Sequence, residues 1–237
     1  MREYYLDIPS IIIELIIYIY ITKLSIGQFL AKKEILLLFF IIQILGLIYD
    51  SFIILIGFSM TENVLMFFNR LRFIFHGLIV PTLILYSGYA LQLDECFFYC
   101  NIITNIIISI YGIIIGFISK LEIVENHVLK RCTFSSNEHK FVIISFTLMN
   151  IGCVIYMIIV GIILLVKQRE YYFFLSGLFM LIFSAIGPIL GKSEIDYLIS
   201  MYGEVIMIVF LYLFFKNKAK EAINNKKSNM KEKIINQ

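Results

Sequence analysis

The sequence holds no tryptophan, three prolines, three histidines and four cysteines in 237 residues, and only 16% of it is charged. Each shortage excludes something. A soluble domain dresses its surface with about 25% charged residues. A chain that is 60% hydrophobic, with a mean hydropathy of +0.91, does not build such an exterior. A bilayer supplies the missing apolar partner. Without Trp, the 15 tyrosines are left to serve as interfacial anchors. The cysteines form no C-x-x-C pair: Cys96 and Cys100 stand one helical turn apart, Cys132 falls in a connection and Cys153 in mid-span. Neither a metal framework nor a structural disulfide is expected from them. No Gly-rich phosphate cradle occurs, so ATP is not an expected ligand. A net charge of +3 is too small to indicate a nucleic-acid partner. The first apolar run lacks a small-residue cleavage site and carries Glu14, so no cleavable signal peptide is expected.

What is present is a series of long apolar runs. They cover about 8–28, 35–60, 73–93, 97–119, 141–166, 171–191 and 197–215, each close to the roughly 20 residues that cross a hydrocarbon core. The first counts only if it runs past Lys23, whose aliphatic stem can snorkel. The expected fold is therefore all-α: a polytopic, seven-transmembrane-helix bundle over residues 1–215, followed by a basic, disordered tail over 216–237. A β-barrel is excluded, because its strands alternate over about 10 residues. The longest connection, about Lys120 to Lys140, is expected to form a short surface helix. The tail alone carries seven lysines. Lys and Arg are accordingly denser on the tail's side, which predicts an external N-terminus and a cytoplasmic C-terminus in the plasma membrane. Beyond anchoring the topology, such a tail can bind anionic lipid at about 1 kcal/mol per cation.

Ionisable residues inside a span cost at least ~2.5 kcal/mol each on insertion scales and call for an explanation. Glu14, Asp50, His76 and Glu204 are four such residues, all in the membrane half shared by the N-terminus and the second, fourth and sixth connections. Their helical phase agrees. Ser10, Glu14, Tyr18 and Thr22 recur every four residues, as do Arg72 with His76, Asp196 with Ser200 and Glu204, and Asn101 with Asn105 and Ser109. Gln43, Gly46 and Asp50 share another face. Such stripes face protein or water, because unsatisfied polar groups in hydrocarbon cost several kcal/mol. Pro9, Pro81 and Pro188 fall in the same half.

The candidate substrate-binding or proton-handling residues are Glu14, Asp50, Arg72, His76 and Glu204. Asp50 leads, as the deepest acid. Its two natural partners are His76 and Arg72, with His76 expected to take the hydrogen bond. Three carboxylates against one Arg and one His leave an acid protonated or cation-bound, which suits proton exchange or acid–base work. Arg70 and Arg72 read either as snorkelling cations or as a clamp for phosphate or carboxylate. Asp50 is expected to matter to activity more than to folding. Asp50→Asn should keep near-normal thermal stability and lose ligand-induced stabilisation, with Glu14→Gln having a smaller effect. Collapse of the fold would instead mark the acid as half of a structural ion pair.

Three function classes stay open. One is a carrier or channel for a small solute or cation, using this cluster and no cofactor. Another is a membrane enzyme acting on a lipid headgroup, with Asp50, His76, His139 and Glu204 as candidate ligands of a divalent metal. The last is a structural or accessory subunit whose charges lock helices together. Retinal proteins are set aside because no lysine lies inside the last span. The His-rich membrane hydrolases are set aside because only His76 lies in a span, His127 and His139 being in a connection.

Overall fold

The computed structural model describes residues 7–91, 95–125, 129–135, 137–190 and 193–235, with side chains at 8–186 within those ranges and at 198–220. The chain is mostly helical. Helices α1 (Asp7–Lys32), α2 (Ile35–Ile56), α3 (Glu62–Ile79), α4 (Thr82–Ala90) and α5 (Glu95–Ile118) are followed by an antiparallel hairpin. Its strands are β1 (Leu121–Glu125) and β2 (Lys130–Phe134). Helices α6 (Lys140–Gln168), α7 (Tyr172–Leu190) and α8 (Ser193–Ile235) complete the fold. Among the described residues, six helices are long and apolar enough to cross a membrane, α3 and α4 together counting as one. That is compatible with an integral membrane protein. The described apolar stretch of α7 is shorter, Tyr172–Ile186.

Three differences from the sequence expectation matter. The third span does not start at Phe73: α3 starts at Glu62, so Arg70 and Arg72 are helical rather than loop residues. Charges lower the hydropathy of this stretch, yet Asn69, Arg70 and Arg72 all find partners within the protein. The Arg70 guanidinium donates to the Phe117 carbonyl, among the last carbonyls of α5, where a cation also suits the helix dipole. The fourth connection forms a hairpin, not a helix. Leu121 pairs with Phe134 and Ile123 with Cys132, so alternate residues of both strands share one face, and that face packs on Leu65 of α3. At its base, backbone N–H groups of Lys120 and His139 bond the Glu138 carboxylate and hold its pKa below the usual range. The tail, finally, continues α8 as far as Ile235.

Pro81 separates α3 from α4 because it has no N–H for the Gly77 carbonyl one turn back. The Thr82 hydroxyl donates to the Ile79 carbonyl at 2.6 Å, and the Leu83 and Ile84 amides make tight bonds to Val80 and Pro81. Every residue of α4 except Tyr89 is buried. It runs through the main core, where Tyr86 meets Phe40 and Phe215 edge-on. Helix α3 crosses α5 at backbone contact. A Cβ on Gly112 would lie 2.6 Å from the Gly77 carbonyl oxygen, and one on Gly116 would lie 2.9 Å from the Ile74 nitrogen. Gly112 and Gly116 form a G-x-x-x-G pair, the spacing that lets helix backbones approach closely where apolar burial supplies no drive.

The candidate functional site: a charged cavity between six helices

The Asp50 carboxylate on α2 is ion-paired with the Arg72 guanidinium on α3. Both side chains are largely withdrawn from the surface. Arg72 also donates to Asn69 Oδ1 at 3.2 Å, and that oxygen accepts the Cys132 amide of the hairpin at 3.3 Å. Asn69 is fully buried, and its Nδ2 donates to the Leu65 carbonyl. One amide side chain thus ties the buried ion pair to the hairpin.

Two adjoining cavities, of about 230 and 210 Å³, share Asp50, Arg72, His76, Ser200 and Glu204 as walls. The larger is completed mainly by apolar residues of α2, α3, α4, α6, α7 and α8, with Gln43, Thr147, Asn150 and Ser184 as further polar groups. The smaller lies towards the hairpin. It is walled by Ile54 and Met201, which cluster with Leu129, and by Phe73 and Phe146, whose rings meet that of Phe134 tilted and edge-on.

The structure places the five candidates as follows. Asp50, Arg72, His76 and Glu204 wall both cavities. Glu14, only 4% exposed, stands behind them on α1, where its Oε1 accepts the Ser51 hydroxyl at 3.2 Å. Glu204 lies within electrostatic range of Asp50, Glu14 and Arg72. His76 is not the hydrogen-bond partner of Asp50. Arg72 takes that place, because one turn of α3 separates the two and only the longer side chain meets the carboxylate. The His76 ring lies 6.4 Å from that of Phe146. Arg70 is outside the site, and Arg72 turns inward instead of snorkelling. The Asn101, Asn105 and Ser109 stripe of α5 also faces elsewhere: Asn101 accepts the Tyr156 hydroxyl at 2.8 Å, and Ser109 reaches the Leu78 carbonyl. His127 lies outside the described residues, as do the side chains of Asp196 and Pro188.

Sequence reasoning missed Asn69 and Asn150. Asn69 had a usable signal, since it stands three residues before Arg72 on a helical face. Asn150 had none. Among the described residues, no three His, Cys, Asp or Glu side chains gather closely enough to hold a metal ion. His139 is at the head of α6 and walls neither cavity. The metal set Asp50, His76, His139 and Glu204 is therefore not assembled.

Fold and site together define a mostly helical protein, compatible with membrane insertion, around an internal cavity lined by two acids, an arginine and a histidine. No protein-family model matches the chain, and no curated protein matches it.

Proposed function

We propose that the protein is a carrier or channel for a small solute or cation, with the Asp50, Arg72, His76 and Glu204 cavity as its binding site. The observation that carries this reading is the cavity itself. Buried charge that serves only to lock helices is packed solid, because an empty wall forfeits dispersion contacts. Here two carboxylates, an arginine and a histidine border open space. The enzyme reading has less support, since its metal ligands are not gathered. The Asp50–Arg72 pair and the Asn69 tie to the hairpin favour a structural contribution beside the binding role. In this reading all seven apolar helical segments cross the plasma membrane, the N-terminus is outside, and the lysine-rich end of α8 meets the anionic cytoplasmic leaflet.

Two measurements test it. In a chain freed of its four cysteines, Ser200→Cys is expected to react with a water-soluble methanethiosulfonate in proteoliposomes, as a hydrated site requires. A folded protein that stays unlabelled from both sides would remove the solute-site reading. Reporters fused after Arg169 and at Gln237 are expected to read cytoplasmic at both points. Opposite readings would mean that only one of α7 and α8 crosses.

A further inference from the structure

We infer that the cavity's ligand is a small organic cation bearing N–H donors and a short apolar body, that is, a primary ammonium or guanidinium compound and not a carboxylate, phosphate or quaternary amine. This rests on the solute-site reading above and names the chemistry of that site. Four observations on the walls lead to it.

Charge comes first. Asp50 is matched by Arg72, whereas Glu204, 8% exposed, has no ion pair or hydrogen bond among the described residues. Among the wall groups Glu204 is thus the acid left without a counter-charge of its own, and Glu14 stands behind the walls as another acid. A buried carboxylate without a partner is costly. A cationic ligand removes that cost, and an anionic one adds to it.

Hydrogen-bonding capacity is the second observation. Gln43 Oε1 and Asn150 Oδ1 are buried acceptors with no donor among the described residues, and both residues wall the larger cavity. Gln43 is 2% exposed. An orphaned buried acceptor costs about 1–3 kcal/mol, so the site is completed by something that donates. These acceptors come from α2 and α6, and Glu204 comes from α8, so donors must diverge from a compact head. An ammonium has three donors and a guanidinium five; a quaternary amine has none.

The third is the remainder of the wall. Leu47, Ile79, Val80, Leu83, Val154 and Met207 present hydrocarbon, which suits an alkyl body and not a sugar or a second charge. The fourth is size. About 230 Å³ lies below the ~300–1,000 Å³ of drug-sized sites, which limits the body to a few carbons.

The test uses the full chain in nanodiscs and four probes of similar length: butylammonium, butyltrimethylammonium, butan-1-ol and butyrate. Butylammonium is expected to raise the thermal midpoint saturably. The other three should need at least tenfold higher concentration for the same shift. Glu204→Gln is expected to weaken butylammonium at least tenfold. Gln43→Leu should weaken it several-fold while leaving butyltrimethylammonium unchanged, a difference that mere loss of folding would not produce. Equal protection by butanol or butyrate, or indifference of butylammonium to Glu204→Gln, overturns the inference. If no probe acts but Ser200→Cys is still labelled, the cation class falls and the solute site stands. If labelling also fails, both fall.

Discussion

Asp50→Asn is expected to destabilise the protein by about 3–5 kcal/mol, the usual cost of removing one partner from a buried ion pair. The substitution leaves the Arg72 guanidinium among Ile54, Phe73 and Phe146 with two neutral amide oxygens, that of the introduced side chain and Asn69 Oδ1, in place of a carboxylate. Asn69 Oδ1 already accepts from both Arg72 and the Cys132 amide, so a guanidinium that shifts without its carboxylate should loosen the hairpin as well. Arg72→Met alone leaves the carboxylate exposed to the same penalty. The double variant Asp50→Asn, Arg72→Met removes both charges and is expected to recover most of the lost stability, since apolar replacement of a buried pair is often neutral or better. Thermal unfolding of the four proteins in one detergent closes the cycle. A coupling below about 1 kcal/mol would mean that the pair is effectively solvated, freeing Asp50 for ligand binding. Recovery of the fold without recovery of butylammonium binding would separate the two roles of this acid.

Gly112→Leu is expected to do comparable damage for a different reason. The atoms that a side chain would meet there are the backbone of Gly77 and the Met149 sulfur. The backbone cannot swing aside as a rotamer can. Overpacking costs about 1–3 kcal/mol where side chains can shift, and more is expected where two helices must separate. Because α3 carries Arg72 and His76, moving it from α5 also displaces the site. Gly152→Leu on α6 is the control, since a Cβ there meets nothing within 4 Å. The first variant should lose its monodisperse peak in size-exclusion chromatography, and the second should keep it. Equal behaviour would show that the α3–α5 crossing does not depend on the glycine contact.

Much of the site's composition is legible in the amino-acid sequence. Glu14, Asp50, Arg72, His76 and Glu204 stand out because a charge in an apolar run violates a strong local preference, and that preference can be read one residue at a time. Their common depth follows from counting along helices. The long runs announce themselves in the same way, and so does the break at Pro81, whose missing amide is a property of the residue itself. The start of α3 is hidden by the same rule: Asn69, Arg70 and Arg72 depress hydropathy, although Arg72 turns inward to Asp50 and Arg70 satisfies the end of α5. The hairpin is hidden because alternation over five residues is short, and its burial is decided by Leu65, Ile54 and Met201 on other elements.

By itself, then, the sequence determined which segments avoid water and which charges they carry, because transfer from water is nearly additive along a chain. Only the tertiary structure decided that Arg72 and not His76 takes Asp50, that Asn69 reaches an amide 63 residues away, and that Glu204, Gln43 and Asn150 face one space. The physical reason is range. Hydrogen bonds and buried ion pairs act over a few ångströms and depend on geometry. Which groups come that close is set by how the helices cross, here through glycines whose importance lies in the backbone they touch.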